Sequence, residues 1–365
     1  MAIVNDSDRG FCYSSEPGGG RGGEKCYSNG FDAIPFDQLV PKLTTLPSTI
    51  NDVQVSPVGQ KKVTKAEKRA QRQQKKVNVA QRRQLRRQAE LAPSQGTETV
   101  FNPFLTTTQI KQTYREIVKN CPTGANTDVK LFQYHSIAVY KSDADYILPG
   151  EWLNDSNISL FYELMGQTMA HLPQVKFPSQ VQLLYPTLVQ LFLHFPVSDE
   201  IESVLPIDDL KKLKFIFIPI NFIDDYDSVD LEQVNQGDHW ALAVLSIMES
   251  KLYLYDSMAI DEDTESDKKL LHQLTQRLLS CKTIIKTNKI EVVKMRCDQQ
   301  DNFDDCGVYV LMITCYLIKQ LMLHHDEPIS MDISNVKFNP LSGRFAMIDL
   351  LHRLYVQNSD LEESK

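Results

Sequence analysis

The sequence predicts an α+β domain carried behind a long polar N-terminal region. Three patterns point to it. Apolar runs of strand length follow one another closely, at Phe215–Ile220, Trp240–Ile247 and Leu252–Tyr255. Helical segments lie before and after that run instead of alternating with every strand, which argues against a doubly wound sheet. An unbroken apolar stretch from Val308 to Leu323 has the length of a buried helix.

Taken in order, residues 1–60 read as disordered low-complexity sequence, with Pro17-Gly-Gly-Gly-Arg-Gly-Gly23 as its most flexible part. Residues 61–92 contain Ala, Gln, Lys and Arg with no Gly or Pro before Pro93, a composition that favours a basic helical arm. Its apolar residues are small and sparse, so it is read as a solvated segment or as a contact for a nuclear-import factor or nucleic acid. No aromatic residue interleaves the basic run, and base stacking is not indicated. Residues 93–127 read as a linker, 128–358 as the folded catalytic domain, and 359–365 as an acidic tail. Folded character begins near Phe132. Ile158–Met165 has helical apolar spacing and a cap at Asn154 or Asp155. Trp240–Ile247 and Leu252–Tyr255 form a hairpin through a Met248–Lys251 turn, Leu270–Leu279 is helical, and Ile290–Met295 alternates as a strand.

The net charge of −8 conceals two opposed regions. Residues 61–90 carry 12 Lys/Arg against 2 Asp/Glu, a local balance of +10, which leaves −18 on the remainder. No apolar stretch reaches the ~18–20 residues of a membrane span. The first residues have no basic-then-apolar signal pattern, so a chain of the reducing nucleus and/or cytoplasm, without membrane association, is expected. The seven cysteines (12, 26, 121, 281, 297, 306 and 315) form no CxxC pair, and neither a disulfide framework nor a zinc site is expected.

One cysteine stands apart. Cys306 lies where the loop Gln300-Asp-Asn-Phe-Asp-Asp305 meets the apolar helix. A helix N-terminus offers unpaired N–H groups and about half a positive charge, which favour the thiolate, the nucleophilic form. His239 is the candidate base and partner of the ion pair. Asp256, at the other side of the predicted hairpin, would orient the ring and favour the imidazolium. Gln300 could donate to an oxyanion beside the Cys306 N–H. Taken singly, each has an ordinary explanation: a core thiol, a structural histidine beside Trp240, a turn aspartate. Cys281, Cys297 and Cys315 are left with that explanation.

His239-Trp240, Asp256, Gln300 and Asp305-Cys306-Gly307, with Trp152-Leu-Asn-Asp155 upstream, resemble the ubiquitin-like-protein protease family. That family includes the SUMO/sentrin proteases and the deneddylases. The likeness spans roughly Phe132 to Tyr355, and the His-Asp-Cys order separates it from papain-type enzymes, which place Cys first. The resemblance implies a papain-like cysteine protease fold acting as a monomer without a cofactor, and cleavage after a modifier's C-terminal Gly-Gly. It further implies that Trp152 and Trp240 roof a slot too narrow for any residue but glycine. Asp155 would contact the modifier's tail or basic residues, unless it serves as the helix cap. Pro219-Ile-Asn221, the 13-residue acidic insertion 224–236 and the Phe303-Asp304 step before Cys306 bring the chain closer to the deneddylase (Nedd/Rub) branch than to the SUMO branch. The insertion is read either as a charge-complementary surface or as a plain solvated loop. The reading of another class is a catalytically silent adaptor that only binds the modifier.

Overall fold

The protein is described from a computed structural model covering residues 26–28, 31, 102–122, 128–171, 180–195, 200–222, 239–258, 265–323 and 330–363. By internal contacts, one body comprises residues 1–41, 102–300 and 304–365, and a second unit comprises 42–101 with 301–303. Of the second unit only 301–303 are described, as a bend. The basic arm and the acidic insertion 224–236 lie outside the described residues.

In chain order the elements are β1 (Cys26–Ser28), α1 (Pro103–Val118), β2 (Lys130–Tyr134), β3 (Ile137–Tyr140), α2 (Lys141–Tyr146) and α3 (Asp155–His171). Then come β4 (Val181–Leu183), α4 (Pro186–His194), α5 (Ile207–Leu210), β5 (Phe215–Phe222), β6 (His239–Ser246) and β7 (Lys251–Tyr255). The chain continues with α6 (Glu265–Ser280), β8 (Glu291–Met295), α7 (Cys306–Leu323), β9 (Val336–Phe338) and α8 (Pro340–Glu363). The main sheet runs β4-β5-β6-β7-β8, antiparallel at its centre and parallel at both outer pairs.

Strands β5, β6 and β7 are buried on both faces, which is why they read as continuous apolar runs. Alternation still sorts the side chains. Phe217, Trp240, Leu242, Val244, Tyr253 and Tyr255 join the core that contains α7, whereas Ile216, Ile218, Ala241, Ala243, Leu252 and Leu254 join the core that contains α6. Pro219 is tolerated in β5 because it lies past the β4 pairing, which covers only Phe215 to Phe217. The hairpin turn closes with Ser250 at φ 54, setting Ser246 opposite Lys251.

Three boundaries differ from the sequence expectation. The predicted linker contains α1, whose N-cap Asn102 accepts from the Phe104 and Leu105 N–H groups. This helix packs along α8 and buries Ile110 and Ile117 completely. Its apolar stripe is only a few residues wide, so the burial that stabilises it comes from α8 and is invisible locally. Within the stretch expected to be disordered, Cys26–Ser28 pairs in parallel with Val336–Phe338, and Phe31 packs edge-on to Phe161 at 5.7 Å between ring centroids. A three-residue strand has too little sequence to carry a pattern of its own. The expected acidic tail continues α8 as far as Glu363.

Because α1 completes the core, Ile117→Ala should cost about 2–5 kcal/mol of unfolding free energy. Urea titration of the full chain checks this, and a loss no larger than that of an exposed-site control would mean that α1 is an appendage.

Candidate active site

The main-sheet register gathers the predicted residues. His239 opens β6 and Asp256 directly follows β7, and because Leu242 pairs with Tyr255 both sit at one end of the hairpin. His239 Nε2 lies 2.6 Å from Asp256 Oδ1. The ring stacks on Phe222, its cross-strand neighbour, at an interplanar angle of 8°. Asp256 Oδ1 also accepts the Met258 N–H at 2.8 Å, and its backbone carbonyl accepts from Gln299 Nε2. The carboxylate therefore has a fixed aim before any substrate arrives.

Cys306 is the first residue of α7, which packs against β6. Asp305 is the N-cap, since its carbonyl accepts the Tyr309 N–H at 2.9 Å. The Cys306 N–H therefore belongs to the set that the helix itself does not use. The sulfur residue is 1% exposed. Gly307 has a steric reason: a Cβ there would stand 2.9 Å from Leu153 Cβ, so only glycine lets Leu153 close over the first turn.

The electrostatics follow from these neighbours. Burial alone would push the His239 pKa down. The hydrogen bond and charge of Asp256, with those of Cys306, overcome burial and lift it to about 10. His239 Nδ1 is buried and makes no conventional hydrogen bond. With Nε2 committed to Asp256, Nδ1 is the ring atom left to exchange a proton with the thiol. Burial would raise Asp256, but its bond to His239, the charge of the imidazolium and the Met258 N–H hold it below the usual carboxylate value. The other thiols differ in kind. Burial pushes Cys281 and Cys297 up to about 12 and Cys315 well above its ordinary value.

Gln300 is aimed by a residue that sequence reasoning missed. Ser257 Oγ donates to Gln300 Oε1 at 2.7 Å, and the Gln300 N–H donates to the Ser257 carbonyl at 2.8 Å. With its oxygen held there, the amide –NH₂ is the part of Gln300 with the chemistry to donate to an oxyanion. Ser257 adjoins Asp256, so a hydroxyl next to the predicted acid was the one available signal. Asp298 was also missed. It accepts from the Phe338 N–H at 2.9 Å and Lys337 Nζ at 2.5 Å, fastening the Gln300 loop to β9.

The structure places Trp152, Trp240 and Asp155 in different surroundings. Trp240 is 4% exposed in the α7-side core, and its Nε1 donates to the Leu153 carbonyl at 3.1 Å. Trp152 is half-buried beside that anchor. Asn154, not Asp155, caps α3: its Oδ1 accepts the Asn157 N–H at 2.8 Å, and Asn157 Oδ1 accepts the Asn154 N–H in return. Asp155 occupies the first turn, with Oδ1 buried and unbonded and its pKa raised by burial.

Residues 151–337 match the family described as "Ulp1 protease family, C-terminal catalytic domain", just over half of the chain. The chain belongs to the Ulp1 protease family. NEDD8-specific protease 2 of Schizosaccharomyces pombe is 30% identical to it over 224 residues, 61% of this chain and 50% of that protein. The probable sentrin-specific protease 8 of Dictyostelium discoideum is 30% identical over 207 residues, 55% of this chain and 80% of that protein. The chain thus spans half the length of the first relative and four-fifths of the second. The C-terminal Ulp1 protease domain in complex with Smt3, the yeast ortholog of SUMO, aligns at 17% identity with a TM-score of 0.42, covering 72% of this chain and 99% of that one. No helix among the described residues is long and apolar enough to cross a membrane.

Two outcomes follow for this Ulp1-family site. Asp256→Asn removes the charge that holds the imidazolium, so His239 should lose its proton at lower pH. The His239 ring titration, followed by proton NMR across pH, should move down by at least about one unit. An unmoved titration would mean that Asp256 does not hold the imidazolium. Ser257→Ala leaves the Gln300 amide present but unaimed, so kcat should fall by about tenfold, less than the ~10²–10³-fold expected for Gln300→Ala. Steady-state kinetics of the two variants side by side check the order.

Proposed function

We propose that the protein is a thiol protease that hydrolyses the bond after the C-terminal Gly-Gly of a ubiquitin-like modifier of the Nedd type. The observation that carries the chemistry is His239, held at 2.6 Å by Asp256 and raised to about 10 by Asp256 and Cys306 together. An imidazolium held in this way is the ion-pair partner that a nucleophilic sulfur requires. The thiolate attacks the glycine carbonyl, and the oxyanion is received by the Cys306 N–H and Gln300. The tetrahedral intermediate collapses, His239 gives its proton to the leaving amine, and a thioester remains. Water that loses a proton to His239 then attacks the thioester and regenerates the thiolate–imidazolium pair.

The modifier assignment is supported by the names of the similar proteins, NEDD8-specific proteases 1 and 2 of S. pombe among them, and by the Phe303-Asp304 step before the nucleophile. Trp152 and Trp240 would wall the slot for the diglycine. Asp155, buried and unbonded at one oxygen, would receive a basic group from the modifier's tail. Such a partner would oppose the burial that raises its pKa. The basic segment 61–90 would serve a nuclear-import factor or nucleic acid, with the enzyme in the nucleus and/or cytoplasm.

The test is a panel of Nedd-type, SUMO and ubiquitin C-terminal fluorogenic substrates with wild-type and Cys306→Ala protein. The expected result is preferential turnover of the Nedd-type substrate, abolished in Cys306→Ala. Preference for SUMO would overturn the modifier, turnover by Cys306→Ala would overturn the mechanism, and binding without turnover by wild type would make the protein an adaptor.

A further inference from the structure

Arg344, on α8, is 1% exposed and ranks first by volume among the fully buried side chains. An ionised guanidinium persists at such depth only when its donors are matched by acceptors. Nε donates to Asp305 Oδ1 at 2.8 Å. Nη1 donates to the carbonyls of Ile147 at 3.1 Å and Leu148 at 3.0 Å, with Tyr146 more distant at 3.4 Å. Nη2 donates to the carbonyls of Glu151 at 2.8 Å and Asp304 at 2.7 Å.

These acceptors form two sets, and each leads into a different part of the site. Asp304 and Asp305 run directly into Cys306. Residues 146–151 run directly into Trp152 and Leu153, and Leu153 in turn holds the Trp240 indole through its carbonyl and covers Gly307. The planar fork thus joins the segment carrying the nucleophile to the segment carrying the slot wall. Its approach depends on Gly343: a Cβ there would stand 2.8 Å from Met312 Sδ and 3.1 Å from Val308 Cγ1, both on α7. Removing that Cβ lets α8 close on α7 and brings the next residue, Arg344, to both loops.

We propose that Arg344 is a positioning residue of the protease. Through Asp304 and Asp305 it fixes the direction of the Cys306 N–H, and through 147–151 it fixes Trp152 and Leu153, so that the oxyanion donor and the slot wall share one geometry. The proposal rests on the protease reading above. Lysine cannot replace the arginine, because one ammonium cannot reach acceptors on two loops in fixed planar directions.

The test uses Arg344→Lys in the full chain, with three readouts. In the folded variant, turnover of the modifier substrate preferred by wild type should fall about tenfold or more in kcat. Iodoacetamide alkylation of Cys306, which needs the thiolate but no oxyanion donor, should stay within about twofold. Amide exchange in peptides covering 147–153 and 304–309 should quicken, with α6 as the unchanged control. Wild-type kcat, or alkylation falling in step with kcat, would overturn the inference. If Arg344→Lys does not fold, Asp305→Asn, which keeps the guanidinium and its carbonyl bonds, should show the same split to a smaller degree, and its absence would likewise overturn the inference. Should wild type turn over no modifier, the protease reading fails separately, and unchanged exchange in the two loops would still refute the positioning role.

Discussion

The pairing of Leu242 with Tyr255 across β6 and β7 fixes where His239 and Asp256 end, and every catalytic distance is downstream of that register. A slip of one residue would exchange the faces of His239 and Trp240 and carry Asp256 away from the ring. The register is protected by burial. Each face of β6 contributes to a different core, so a slip would force side chains fitted to α6 against α7 and the reverse. The stability of the sheet and the geometry of the site are thus the same constraint.

On that frame, two opposing electrostatic effects are resolved at a single ring. Burial disfavours the imidazolium, while the carboxylate at 2.6 Å and the thiol favour it more strongly. Low solvent access also strengthens the pair that opposes it, because charges interact more strongly away from water. At Cys281, Cys297 and Cys315 burial leads in raising the pKa, and carboxylates near Cys281 and Cys297 add to it, so these thiols resist ionisation. Reactivity at Cys306 therefore comes from its partners and its place at a helix start. Being a cysteine in a mostly apolar domain is not enough.

Around the reacting groups stands a set of polar residues that do no chemistry themselves. Ser257 bonds Gln300, Asp298 ties the Gln300 loop to β9, and Arg344 joins the segments 146–151 and 304–305. The two close-packed glycines act in the same direction: Gly307 admits Leu153 and Gly343 admits α7. The loops entering the site are short and irregular, so they would hold no fixed geometry without such bonds.

The sequence alone determined the candidate groups and the elements on which they lie. Cys306 before an apolar run, His239 and Asp256 bracketing a hairpin, and Gln300 a few residues upstream are local patterns, and period-2 and helical spacing make such patterns readable. The helices at 158–165 and 270–279 and the four strand segments from Phe215 to Met295 were legible for the same reason. Tertiary structure alone decided the rest. The helix at Pro103–Val118, the β1–β9 pairing and the reach of Arg344 each depend on a partner far away in the chain, as with Arg344 and Ile147, 197 residues apart. A buried arginine and an exposed one are the same letter in a sequence. What distinguishes them is the set of carbonyls that surrounds the side chain, and those assemble only when the chain has folded.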